Sequence, residues 1–243
     1  HPGLSLQETI QPIPEGGDRL RFVTATSLFD GHDASINVMR RILQASGAEV
    51  IHLGHNRSVR EIVDAAIEED ADGIAVSSYQ GGHTEFFKYM IDMLRERNRA
   101  EIRVFGGGGG VIVNREIREL EAYGVTRIYS PRDGQVMGLQ GMIDDMLERT
   151  ESDLKLDDIT DLSVLRTGNR GELARMITAI ENQLVGAPLL KQLEKEIKDT
   201  TTPRVPVIGI TGTGGSGKSS LTDELILRWR LDHSDTLQIA ILA

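Results

Sequence analysis

The chain has 243 residues, with 27 Lys and Arg against 37 Asp and Glu, a formal charge of −10. That acidic balance, with aromatics at 4%, argues against non-specific nucleic-acid binding, which needs cations to neutralise phosphates. No cysteine is present for disulfides, iron–sulfur clusters or thiolate zinc, which suits a reducing cytoplasm, and no run of about 18 apolar residues is present to span a membrane.

The chain opens on His1 rather than Met and lacks a basic-plus-apolar signal pattern, so it reads as a processed piece of something longer. Leu20–Ala25 is the first predicted strand, followed by a loop at Ser27–Ala34 and a helix that aligns Ile36, Met39, Ile42 and Leu43 on one stripe. A short strand at Glu49–Leu53 follows. Ser58 with Glu61 three residues on forms a capping box, and Val59, Ile62, Val63, Ala66 and Ile67 then recur at helical spacing. Gly73–Ser77 reads as a buried strand and Glu85–Arg97 as a helix. Ile102–Phe105 is a strand entering five glycines, Gly106–Gly110. Residues 114–123 form a helix, Arg127–Tyr129 a strand and Gln135–Arg149 a helix.

Five strands, each followed by a helix, imply a parallel sheet covered on both faces with right-handed crossovers. The expected fold is α/β, a flavodoxin-like (Rossmann-type) five-stranded sheet of order 2-1-3-4-5, whose ligands sit beyond the carboxyl ends of the strands. The informative loops are therefore those after strands 1, 3 and 4.

Residues 151–203 read as a helical linker. An acidic stretch at 151–162 precedes a helix capped by Asn169, with Leu173, Met176, Ile177 and Ile180 as its apolar stripe. A second helix runs from about Pro188, with Leu189, Leu190, Leu193 and Ile197 inward, and Thr200–Pro203 ends it. From 204 to 243 the pattern is that of an incomplete P-loop domain, with Val205–Ile210 as a buried strand, residues 219–230 as a helix and Leu237–Leu242 as a further strand. The expected organisation is thus 1–150, 151–203 and 204–243.

Gly212-Thr-Gly-Gly-Ser-Gly217-Lys218-Ser219 matches G-x-x-x-x-G-K-[ST]. Gly212, Gly214, Gly215 and Gly217 let backbone N–H groups wrap a phosphate, together with Ser216 and Ser220. Lys218 supplies a point charge for the β- and γ-phosphates, and Ser219 a hydroxyl for Mg²⁺. The second constellation spans the three ligand-facing loops: Asp30-Gly31-His32-Asp33-Ala34-Ser35, then Ser77-Ser78-Tyr79 with Gly81, Gly82 and His83, then the five glycines. An Asp two residues from a His can orient the imidazole of a metal ligand. Small hydroxyl residues and bare glycine backbone leave room for a flat, bulky group.

The signature D-x-H-x-x-G, S-x-L, G-G belongs to the cobalamin-binding domain of adenosylcobalamin-dependent mutases and methionine synthase, and this sequence resembles it through Asp30-Gly31-His32, Ser77-Ser78-Tyr79 and Gly106-Gly107. The resemblance implies that His32 is the lower axial cobalt ligand and that Asp30 bonds its other ring nitrogen. The displaced benzimidazole tail would lie beside Ser77 and the glycines. Ser35 stands where the first motif has Gly, and Tyr79 where the second has Leu. Similarity to acyl-CoA mutase small domains places His83 near the corrin, whereas the bland reading is an ordinary loop histidine. His52 and His55 are expected in surface or loop roles, and His233 in none.

Residues 168–185 resemble the N-terminal helix of the GTPases that chaperone methylmalonyl-CoA mutase. A cobalamin domain joined to such a GTPase resembles the fused isobutyryl-CoA mutases. There, adenosylcobalamin supplies a radical that interconverts isobutyryl-CoA and n-butyryl-CoA, the acyl-CoA binds in a TIM barrel, GTP use gates cofactor loading, and a homodimer is expected. Residues 1–243 alone are accordingly expected to bind cobalamin without isomerising acyl-CoA, and to hydrolyse GTP weakly or not at all. Alternatives are a corrinoid carrier or B12 sensor fused to a G-protein, and a receiver-like or flavin-binding domain of the same topology. A receiver, however, needs a late Lys that residues 127–136 lack.

Overall fold

The computed structural model describes residues 19–151, 162, 168–199, 205–213 and 215–241. The chain divides into two compact units, His1–Lys195 and Glu196–Ala243. In order, the first unit carries β1 (Arg21–Thr26), α1 (Ala34–Ala45), β2 (Glu49–His52), α2 (Val59–Glu68), β3 (Gly73–Ser77), α3 (His83–Glu96), β4 (Arg103–Gly107), α4 (Asn114–Tyr123), β5 (Arg127–Tyr129), α5 (Pro131–Thr150) and α6 (Arg170–Glu181). Helices α7 (Ala187–Asp199) and α8 (Lys218–Asp232) follow.

All five strands pair in parallel in the order β2-β1-β3-β4-β5, as the alternating pattern requires. β3 is buried along its whole length, which explains its unbroken small and apolar run Gly-Ile-Ala-Val-Ser. The two sheet faces hold separate cores. One joins Ile62, Val63, Ile74, Phe87, Met90 and Val104 beneath α2, α3 and α4. The other joins Phe22, Ile36, Leu43, Ala75, Phe105, Tyr129, Ile143 and Met146 beneath α1 and α5.

Local signals fix several element ends. Ser58 and Glu61 close the expected capping box on α2, and the stripe Val59, Ile62, Val63, Ala66, Ile67 is buried. α5 begins at Pro131, four residues before the predicted Gln135. Ser130 caps it by accepting from the Asp133 N–H, and Pro131 occupies the first helical position, where a missing N–H costs nothing. Gly138, at φ 68° and ψ 176°, breaks α5 into two segments. No side chain tolerates that conformation readily.

Three sequence expectations need correction. First, α6 turns a different face inward. Gly171, Ala174, Thr178 and Ala179 are buried with Met176, while Leu173, Ile177 and Ile180 are exposed. A Cβ on Gly171 would stand 3.0 Å from Ile67 Cγ2, so the helix approaches α2 closely and small residues make the contact. Second, residues 205–210 form no strand, with Val207 92% exposed. Third, residues 237–241 form no strand either, and Leu242 lies outside the described residues. A strand needs a neighbour for its ladder, and among the described residues the one sheet belongs to the first unit. In α7, Leu189, Leu190 and Leu193 are half-buried, as the expected stripe requires in part. The side chain of Ile197, most of the acidic stretch 151–162 and Thr200–Pro203 lie outside the described residues.

Candidate functional site

The carboxyl ends of β1, β3 and β4 bring three loops together. β1 and β3 run in register up to Thr26 opposite Ser77, and β3 and β4 up to Ser77 opposite Gly107. Past those ends the Ser27 N–H donates to the Ser77 carbonyl and the Ser78 N–H to the Gly107 carbonyl, so the loops leave the sheet joined.

Asp30 is buried at the start of the first loop. Its Oδ1 accepts from the ring Nδ1 of His32 at 2.7 Å and from the His32 backbone N–H at 2.9 Å. Its Oδ2 accepts from the Tyr79 N–H at 2.5 Å. Burial alone would push the Asp30 carboxyl up. The bonds from the Tyr79 and His32 N–H groups and the His32 ring outweigh it and hold the pKa below the usual carboxylate value. A carboxylate only accepts, so Nδ1 carries a proton toward Asp30; in the neutral ring that leaves Nε2 as the lone-pair nitrogen, on a side chain that is 70% exposed.

Beside this pair, between the sheet and helices α1 and α5, lies a cavity of about 330 Å³. Its floor is Ala75, Val76, Phe105 and Gly106, all buried, and its rim includes Ser35, Tyr79 and Gly109. Such a volume sits at the low end of small-molecule sites. Ser77 lines it too, and its buried Oγ has no hydrogen-bond partner among the described residues. Gly107 lines the same wall. At Gly108 a Cβ would fall 2.2 Å from the Ser78 carbonyl, and at Gly109, φ +55°, 2.2 Å from the Tyr79 ring. The glycine run is therefore what lets the β4 loop lie flat against the β3 loop.

The donor set fits a cobalt corrinoid. One outward imidazole suits a metal whose other positions a macrocycle fills, and among the described residues no cluster of three or more His, Cys, Asp or Glu could hold a bare ion. The adjoining cavity, apolar but for a few hydroxyls, has a chemistry that suits a heteroaromatic base.

The remaining predicted residues fall as follows. Gly31 is exposed, with nothing near its would-be Cβ, and Asp33 caps α1 through its backbone only. His83 is buried and does not line the cavity. Its Nε2 lies 3.0 Å from Glu116 Oε2 and its Nδ1 3.2 Å from the Gln80 carbonyl, so it ties the start of α3 to α4. His52 Nδ1 is 2.9 Å from Thr24 Oγ1, and burial first and Arg40 second lower its pKa. Sequence reasoning missed Tyr129, Met39, Met142 and Met146 of the cavity wall; Met39 is marked there only by a helical stripe and Tyr129 only by a strand. It also missed Phe29, 81% exposed at φ 64° beside the ligand loop, a conformation held by the bond from its N–H to Asn56 Oδ1 at 2.8 Å.

In the second unit, α8 starts after Gly217 at φ 80°, with Lys218 in its first turn donating to the Thr213 carbonyl at 2.9 Å. Gly212, Gly215, Ser216, Ser219 and Ser220 surround that start and are exposed. Gly214 lies outside the described residues.

Fold, oriented histidine and slot define a cobalamin-binding domain. Residues 20–133 match the family model described as the B12 binding domain. The fused isobutyryl-CoA mutase of Cupriavidus metallidurans is 62% identical over 226 residues, which are 93% of this chain and 20% of that protein. The pivalyl-CoA mutase small subunit of Xanthobacter autotrophicus is 31% identical over 119 residues, 49% of this chain and 78% of that subunit. A cobalamin-binding protein of Desulfitobacterium hafniense has a similar structure at TM-score 0.46 and 23% identity, covering 54% of this chain and 59% of that one. The chain belongs to the family of the fused isobutyryl-CoA mutases and related B12-binding acyl-CoA mutase subunits, and it spans about a fifth of the length of the fused relatives it matches.

Proposed function

We propose that this chain is the cofactor-holding part of an adenosylcobalamin-dependent acyl-CoA mutase that interconverts isobutyryl-CoA and n-butyryl-CoA. The observation that carries the reading is the His32 imidazole, fixed at Nδ1 by Asp30 and open at Nε2, beside a slot with an unpartnered Ser77 hydroxyl. In this reading His32 would bind the cobalt, Asp30 would keep its tautomer and orientation, and Ser77, Tyr79, Gly106 and Gly107 would bound the pocket for the cofactor's heteroaromatic tail. Asp33 and Gly31 shape the loop that presents the ligand. Bound adenosylcobalamin supplies the weak cobalt–carbon bond that radical rearrangement requires. The acyl-CoA would be held by a TIM-barrel domain, in a homodimer, in the cytoplasm. Among the described residues, no helix is long and apolar enough to cross a membrane.

We further infer that residues 204–243 open a P-loop GTPase unit that couples GTP use to cofactor loading. The support is the spacing Gly212 to Ser219 and the placement of Lys218 in the first turn of α8. Gly212, Gly214, Gly215, Ser216, Gly217 and Ser220 would wrap the phosphates, Lys218 would neutralise them and Ser219 would meet Mg²⁺.

Hydroxocobalamin added to the purified chain tests the main claim. Histidine ligation in place of the benzimidazole shifts the visible absorbance, and His32→Ala abolishes that shift. A variant that binds with an unaltered spectrum overturns the ligand assignment. Lys218→Ala leaves the cobalamin signal intact and removes Mg²⁺·GTP binding.

A further inference from the structure

The two residues that depart from the signature motifs, Ser35 and Tyr79, touch each other. Ser35 Oγ and Tyr79 Oη are 3.0 Å apart, and the bond is exposed at the rim of the cavity rather than buried in its floor. Ser35 sits at the start of α1, and Tyr79 two residues past β3. The bond therefore spans the gap between the helix that roofs the slot and the loop that walls it.

Everything else about Tyr79 keeps it there. Its backbone N–H is clamped by Asp30 Oδ2 at 2.5 Å. Its ring lies against Gly109, where a Cβ would fall 2.2 Å away, and its centroid is 5.6 Å from that of His32. The residue thus stands between the metal-ligand position and the slot, with a fixed backbone and one polar tether at the far end of the side chain. Leu or Phe at this position would have no such tether, and Gly at position 35 would offer no partner.

We propose that the Ser35–Tyr79 hydrogen bond is a latch on the slot that sets the rate at which corrinoids carrying a planar heteroaromatic tail enter and leave it. The inference rests on the cobalamin reading above. A tail entering or leaving the slot must pass the rim and break the bond, whereas a corrinoid without a tail meets only His32. A latch has a kinetic signature that an ordinary contact lacks, because it slows passage in both directions alike. A contact made only in the bound state slows release alone.

Stopped-flow absorbance of the whole chain separates the possibilities, with hydroxocobalamin and with aquocobinamide, the same corrinoid lacking the nucleotide tail. Tyr79→Phe and Ser35→Ala each raise both association and dissociation rates for hydroxocobalamin by roughly two- to tenfold, the worth of one neutral hydrogen bond, and leave Kd within about twofold. The double variant is no faster than either single one, because one bond is lost in all three. Cobinamide rates do not change. Unchanged hydroxocobalamin rates, faster dissociation alone, or equal acceleration of cobinamide overturns the latch while leaving the cobalamin site standing. Wild-type protein that binds neither corrinoid overturns the functional reading and the latch together.

Discussion

One oxygen of Asp30 holds His32 twice, through the ring Nδ1 at 2.7 Å and the backbone N–H at 2.9 Å, while the other oxygen reaches the Tyr79 N–H. Asp30→Asn turns an NH₂ group toward donors on at least one side and should cost about 1.5–3 kcal/mol, the scale for hydrogen bonds to a charged group. The folded-state pKa lies below the usual 3.8, so this stabilisation is complete above that value and is lost as pH falls through the lower folded value. Urea unfolding at pH 7 and at pH 3 should show a larger acid loss in the wild type than in Asp30→Asn. Equal losses would remove Asp30 from the acid response.

Ser77 carries a buried hydroxyl with no partner among the described residues. Ser77→Ala removes a group whose desolvation is not offset in the folded chain, so stability should stay level or rise by up to about 1 kcal/mol. If the hydroxyl serves the tail of a bound corrinoid, the same variant weakens hydroxocobalamin binding by roughly two- to tenfold. Stability and affinity moving in opposite directions is the expected result. A parallel fall in both would mean that Ser77 is structural.

Two glycines of the site should respond in opposite ways to alanine. At Gly108 the new methyl would lie 2.2 Å from the Ser78 carbonyl, a backbone atom that cannot swing aside, so Gly108→Ala should destabilise by about 1–3 kcal/mol. At Gly31 nothing lies within 4 Å, and Gly31→Ala should stay within about 0.5 kcal/mol. Thermal unfolding of the two variants side by side reads the difference directly.

The sheet and the hydrogen-bonded Asp30–His32 pair were legible because each rests on signals local in sequence. Alternating buried strands and helical stripes gave the order of elements, and Asp30 with His32 lies within one loop. The slot was only half legible. Ser77 and the glycines belong to a motif, but Met39, Met142, Met146 and Tyr129 carry no mark that separates a cavity wall from a core. The Ser35–Tyr79 contact joins residues 44 positions apart, which no periodicity reveals. The inward face of α6 was misread because the apolar count favoured Leu173, Ile177 and Ile180, whereas a close helix approach selects glycine and alanine. The expected strands failed at 205–210 and at 237–241 for a related reason, since hydrophobicity marks a strand only where another strand can pair with it.

That close approach of α6 is set by charge as well as by size. Arg99 is almost fully buried and donates from Nη2 to Asp70 at 3.0 Å and from Nε to Glu101 at 2.7 Å. Arg175 of α6 pairs with the same Glu101, and Arg21 reaches Thr178 Oγ1 at 3.3 Å. Removing Arg99 leaves the buried Asp70 carboxylate without its nearest cation, so Arg99→Ala should cost about 3–5 kcal/mol. Arg170→Ala breaks an exposed pair with Glu68 and should cost no more than about 1 kcal/mol. Amide hydrogen exchange adds a local readout. If the charges hold α6 to the cobalamin domain, Arg99→Ala raises exchange across residues 173–181 more than in the strands, and Arg170→Ala leaves it unchanged. Uniform acceleration throughout the domain would instead make Arg99 a support of the whole core, and α6 a passenger on it.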